Sequence, residues 1–261
     1  MVFTDKKYVC MAHATAGRTT ISYETQGIRD EDKRYKGLGV RKAVEIVNTT
    51  INELLVGKPV IDQRDIDYTM IEYDGTPDKS KLGGNVMVAT SIAVAKAAAA
   101  SLSLPLYRYI GGANAHVLPV PMFIYICGGK LAATDLDFQE LSALPVGAKS
   151  FSEALEMGAE VYHTLGEMLA NKYSKYALNT GDEGCFAPPG LKDPREGFDM
   201  ILKSIEELGY EKKFVLAIDV AANSFYDKKS GMYVYKGKRI AKENLFEEYV
   251  DLAHSYPLRS I

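Results

Sequence analysis

Residues 213–222 read KFVLAIDVAA, and from Phe214 to Ala221 seven of eight residues are apolar. A run this short and this continuously apolar fits a strand covered on both faces, the kind that parallel sheets bury beneath helices. Asp219 sits near its C-terminal end. Burying an unpaired carboxylate costs several kcal/mol or drives its pKa far upward, so Asp219 is expected to face a cation, whether Lys, Arg or a metal ion. In barrels the C-terminal strand ends form the active face. A structural salt bridge inside a barrel is the competing reading.

Working outward, the segments on either side alternate between strand and helix signals. Upstream, Asp193-Pro194-Arg195-Glu196 predicts a helix with Pro at its first position, ending near Gly209. Ser150 to Glu153 read S-F-S-E, a capping box opening a helix to about Leu169. Before it, DLDFQELSALPVGA alternates like a half-buried strand, and VLPVPMFIYICGG predicts an edge-like strand. Downstream come a charged hairpin-like stretch (YDKKSGMYVYKGKR) and a helix over about 242–255. This order predicts a (βα) barrel or an open α/β sheet. Residues 1–117 differ. Gly17, Thr19, Thr20 and Ser22 suggest strand and loop, and helical patterns follow in VRKAVEIVNTTINELLVG, IDQRDIDYTMIEYDG and the Ala-rich NVMVATSIAVAKAAAASLS. An α+β domain over 1–117 and an α/β domain over 118–261 are expected.

Composition narrows the function classes. The net charge is −3 with no Lys/Arg block, which points away from nucleic acid and anionic membranes. The run Val86–Leu106 is interrupted by Thr90, Ser91, Lys96, Ser101 and Ser103, so a buried helix is expected instead of a membrane span. The N-terminal MVFTDKKYVC lacks the apolar core of a signal peptide. Cys10, Cys127 and Cys185 are odd in number, far apart and without CxxC spacing, so neither a disulfide framework nor a zinc site is expected. These features suit a reducing cytoplasm.

The residues able to do chemistry are carboxylates. TGDEGCFAPP (180–189) sets Asp182 and Glu183 between two glycines, in a stretch that is neither helix nor central strand. Glu140 follows Gln139 in the strand pattern, where a solvent-facing position is the plain reading. Glu140, Glu183 and Asp219 fall in successive βα-type units, each expected where a strand hands over to a loop. Three carboxylates converging on one face make a hard-cation site or an acid/base site. His13 and His116 lie in loop-like stretches, and His163 and His254 on amphipathic helices, so all four read as solvated.

The stretches KLGGNVMVATSIAVAKAAAASLSLPLYRYIGGANAHVLPVPM, DFQELSALPVGAKSFSEALEMGAEVYHTL, GDEGCFAP and AIDVAANSFYD resemble the enolase (phosphopyruvate hydratase) family, from about Tyr23 to Ile261. The resemblance implies an α+β capping domain followed by a (β/α) barrel, usually in a homodimer. It implies conversion of 2-phosphoglycerate to phosphoenolpyruvate and water with Mg2+. Matched by motif, Glu183 is the glutamate that helps the hydroxyl leave, and Glu140 is a second active-site glutamate. Gln139 beside it binds substrate, and Asp219 is the first of three metal-binding carboxylates.

The chain also departs from the family pattern. Leu131 replaces an active-site histidine, Cys127 an asparagine, and Cys185 the second glycine of GDEGG. HATAGRTT stands where the family's mobile loop carries a metal-binding serine. After YPLRSI the family continues into the remaining metal ligands, the base lysine and the substrate-binding arginine and serine. The expectation is a truncated, diverged homologue with about half a barrel, holding Mg2+ weakly or not at all by itself. Such a half leaves open strand edges, which predicts a homo-oligomer or a hetero-complex through that edge. Loss of autonomous activity, with retention as a binding or structural subunit, is the first reading. A component of a working hydratase, completed by a separate chain, is the second.

Overall fold

The chain divides between Val117 and Leu118 into two units, each with its own core. The computed structural model describes residues 1–15, 24–130, 132 and 134–261. Leu131 and the Gly17–Ser22 stretch lie outside the described residues.

The first unit pairs two short antiparallel strands, β1 (Val2–Phe3) and β2 (Val9–Cys10). Its helices are α1 (Arg41–Ile46), which continues through a π-wound turn (Val47–Ile51) into α2 (Asn52–Leu55), then α3 (Gln63–Asp74), α4 (Gly84–Ser101) and α5 (Leu106–Gly111). The Asp62 side chain caps α3 by accepting from the Asp65 amide, and Gly75 ends it with φ +66°. The core joins Ile51, Ile66 and Met70 to Val86 and Val94 of α4. Ala97 and Ala98 of α4 are wholly buried, as small residues permit at close approach. Among the described residues no helix is long and apolar enough to cross a membrane.

The second unit is built on β3 (Phe123–Cys127), β4 (Glu140–Leu144), α6 (Phe151–Tyr173), α7 (Pro194–Glu207) and β5 (Val215–Asp219). A small antiparallel sheet follows, β6 (Tyr226–Asp227), β7 (Met232–Tyr235) and β8 (Lys238–Ile240), then α8 (Lys242–Ser255) and β9 (Leu258–Ser260). The main sheet runs β3-β4-β5-β9, with β4 antiparallel to both neighbours and β5 parallel to β9. These strands do not close among the described residues. β3 and β9 are the edges of a partial barrel.

Both caps form. Ser150 accepts from the Glu153 amide, and Asp193 from the Arg195 amide with Pro194 in the first turn. Helix α6 runs one turn beyond Leu169, to Tyr173. It presents Met157, Val161, Leu165 and Leu169 at four-residue spacing to the sheet's Tyr125, Leu141 and Leu216, with Phe198 and Ile201 of α7 alongside. Two strand expectations change. β4 is not half-buried: Leu141, Ser142 and Ala143 are all buried, so it is covered on both faces. β5 is not in a purely parallel setting, because its neighbour β4 runs the other way.

Candidate functional site

Register brings the carboxylates together. In β4 and β5 Glu140 pairs with Asp219, and Ser142 with Ala217; on the other side Glu140 pairs with Cys127 of β3. Paired positions share a face, so Glu140, Asp219 and Cys127 lie in a row across one end of the sheet. The expectation that Glu140 closes a strand is corrected here. It opens β4, and the antiparallel direction of β4 sets that opening level with the ends of β3 and β5. The helices cover the opposite face, where Leu141, Leu216 and Ile218 point.

Glu183 reaches this row on a loop, not on a strand end. The Phe186 amide donates to the Tyr125 carbonyl and the Cys127 amide to the Phe186 carbonyl, both at 2.9 Å, which lays the loop along the free edge of β3. Tyr162 of α6 stacks on Phe186 with ring centroids 4.2 Å apart and donates its hydroxyl to the Gly184 carbonyl at 2.8 Å. Gly184 has φ +83°, a conformation that a side chain would strain. The turn between the glycines thus holds Glu183 out at the rim. At the end of β3, Gly128 donates to the Gln139 carbonyl at 2.9 Å. A Cβ on Gly128 would lie 2.4 Å from the Leu136 carbonyl oxygen, so only glycine lets the residues before Glu140 pass so close.

The electrostatics are those of an uncompensated acid group. Burial first, then the nearby charges of Glu183 and Asp219 and a hydrogen bond shared with Glu183, together push the Glu140 carboxyl up to about 6. A hydrogen bond with Gln139 opposes them. Gln139 is 7 % exposed; its Nε2 donates to Asp219 Oδ2 at 3.2 Å, and its Oε1 has no partner among the described atoms. Ser142 Oγ, on the same face, is also buried without a partner.

Asp219 is not the buried charge that its apolar run suggested. It is exposed at the strand end, where its Oδ1 accepts from the Ala221 amide at 2.9 Å. Ala221 adopts φ +47°, which turns the chain back toward that carboxylate. Solvent and two neutral donors meet the charge, so burial does not demand a cation. Mg2+ takes about six oxygens and relies on more than one carboxylate or on substrate phosphate. Among the described residues no three His, Cys, Asp or Glu side chains are grouped to hold a metal ion. Asp219 offers a single carboxylate, and the described residues do not fit Mg2+ by themselves.

Sequence reasoning missed one feature. Cys127 and Cys185, 58 residues apart, form a disulfide with Cα atoms 5.6 Å apart. Spacing along the chain carries no trace of the pairing, because the fold supplies it. The available signal was that both cysteines sit inside the rim motifs, in CGG and GDEGC. Cys10 remains free.

Comparison with known proteins agrees with this architecture. The model of the enolase N-terminal domain matches residues 1–110, and that of the enolase C-terminal TIM barrel domain matches residues 115–261. The chain is 50% identical over 246 residues to an enolase of Methanocaldococcus jannaschii, covering 94% of this chain and 57% of that protein. It is 49% identical to an enolase of Thermococcus gammatolerans and 48% identical to one of Pyrococcus furiosus, each over 252 residues, with 96% of this chain and 58% of the relative covered. The chain therefore spans a little under three fifths of the length of these relatives. With both domains matched and the rim carboxylates in register, the chain belongs to the enolase family.

Proposed function

We propose that this chain supplies the carboxylate half of a phosphopyruvate hydratase site and turns over 2-phosphoglycerate only when a second half-barrel completes it. The cross-strand pairing of Glu140 with Asp219, with Glu183 brought to the same rim, carries this reading. Glu183 assists departure of the C3 hydroxyl, and Glu140 shares its proton. Gln139 orients the substrate: its Nε2 holds Asp219, and its unpartnered Oε1 can accept from a substrate hydroxyl. Asp219 would give one ligand to Mg2+, which when bound would supply stabilisation of the negative charge that develops on the substrate. The base lysine and the other metal ligands belong, in the family pattern, to sequence beyond the part matched here.

The strand edge at β9 is where further barrel strands would join, whether they come from sequence after Ile261 or from another chain that carries the second half of the family pattern. A cytoplasmic setting goes with this reaction. The alternative, a binding or structural subunit without catalysis, is favoured by the cysteine pair at the rim and by Leu131, which can neither donate nor accept a proton.

The test is phosphoenolpyruvate formation from 2-phosphoglycerate and Mg2+, with the chain alone and with the complementary half-barrel of a related enolase. Turnover only in the mixture, falling about a hundredfold or more in Glu183→Gln, is expected. Assembly without turnover establishes the structural-subunit reading.

A further inference from the structure

We propose that Cys127 and Cys185 form a redox-set clamp, a positioning pair that fixes the Glu183 turn against the strand rim when oxidised and releases it when reduced by a dithiol. The role assigned to the clamp rests on the reading of Glu183 given above. Its existence rests on geometry alone.

Cys127 is the last residue of β3 and pairs with Glu140, while Cys185 is two residues from Glu183. The bridge thus joins the row of site residues to the loop that brings the third carboxylate. Both cysteines are buried, at 0 % and 1 % exposure, and with Ala132, Ile124 and Ala187 they form a small cluster separate from the main core. Without the bridge, the loop is held on β3 by the two backbone bonds of Phe186 and by Tyr162. Asp182, Glu183 and Gly184 are exposed while Cys185 and Phe186 behind them are buried, so local opening of the turn starts from its solvent-facing tip. Opening of this kind brings Cys185 Sγ within reach of a reductant.

The chemistry balances as thiol–disulfide exchange. A thiolate of the dithiol attacks Cys185 Sγ, the bond to Cys127 Sγ breaks, and Cys127 leaves as a thiolate and takes up a proton. The second thiol of the reagent then displaces Cys185 and closes the reagent's own disulfide. Two electrons pass to the protein and two thiols remain. In a reducing cytoplasm the open form prevails, and oxidation closes it.

The experiment is hydrogen exchange, residue by residue, on the full chain after diamide oxidation and after dithiothreitol, with peptide mapping of the cross-link. Mapping should find Cys127 linked to Cys185 after diamide and Cys10 free. Reduction should speed exchange at the Gly181, Phe186 and Ala187 amides by about tenfold or more, leaving Leu141 and Leu216 unchanged. Cys185→Ala should exchange at the reduced rate with or without dithiothreitol, and Cys10→Ser should respond like the parent. Equal exchange in both redox forms, or no linked peptide after diamide, overturns the clamp. Neither readout needs turnover, so a working clamp with no activity change in Glu183→Gln would sink only the reading of Glu183.

Discussion

Two groups of acidic side chains in the second unit use the same residue types to opposite effect. At the rim, Glu140, Glu183 and Asp219 gather with Gln139 as the neutral go-between. In the second group Asp193 and Glu248 gather around Arg195 and Lys236. The Arg195 guanidinium forks onto both oxygens of Glu248, at 2.5 and 3.1 Å, and also bonds Asp251. Lys236 Nζ reaches Asp193 at 2.8 Å and Glu248 at 3.4 Å, and the Tyr235 hydroxyl adds a 2.8 Å bond to Glu248.

The consequences for protonation differ in sign. Burial alone would raise Glu248, but its bonds to Arg195 and Tyr235 overcome it and hold the carboxyl below its ordinary value. Asp193 is lowered too, its burial outweighed by Lys236 and Arg195. At Glu140 burial and charge act together, and the carboxyl rises. A cation-balanced cluster staples α7, α8 and the small sheet together. A cluster left unbalanced costs stability, and proteins retain such costs where chemistry uses them.

The largest effect that could break this comparison is Arg195→Ala. It leaves Lys236 as the cation for Glu248 and Asp193 and takes the guanidinium from Asp251, and should cost about 2 kcal/mol in urea unfolding of the second unit, discounted for partial exposure. No loss would mean that the network is ornamental. Glu140→Gln should act the other way. Because the folded carboxyl titrates at about 6 against an ordinary 4.5, the folded state binds the extra proton between those pH values. The native protein is therefore more stable below pH 4.5, loses that advantage as pH rises to 6, and stays penalised above. Glu140→Gln should recover about 1 kcal/mol at pH 8, the shift being discounted for partial exposure, and flatten this slope.

Glu183→Gln sharpens the point, because it removes one of the charges that raise Glu140. The Glu140 titration, followed by its carboxyl carbon resonance, should move down toward the ordinary range. An unmoved titration would separate the two residues. The smallest effect is a calibration outside both clusters. Ser150→Ala deletes one cap bond and should cost about 1 kcal/mol at every pH.

The helices and their caps were legible because capping is local: Ser150 and Asp193 act within three residues of themselves. The candidate carboxylates were legible as residues but not as an arrangement. Glu140 was expected to close a strand, since nothing local says that β4 runs against its neighbours. Asp219 was expected to be buried because its run is apolar, yet the last residue of a strand lies at the rim, in water. β4 reads as half-wet because its alternation includes Ser142, a small polar residue that the fold buries. The disulfide, joining residues 58 apart, is a property of tertiary structure alone.

The most direct measurement sets the two clusters side by side: urea unfolding at pH 8 of Arg195→Ala and Glu140→Gln against the parent chain. Opposite signs, with Arg195→Ala weaker and Glu140→Gln more stable, are the predicted result. If both variants lose stability, the rim carboxylates are as well compensated as the staple, and their standing as a site set apart from structural acids is contradicted.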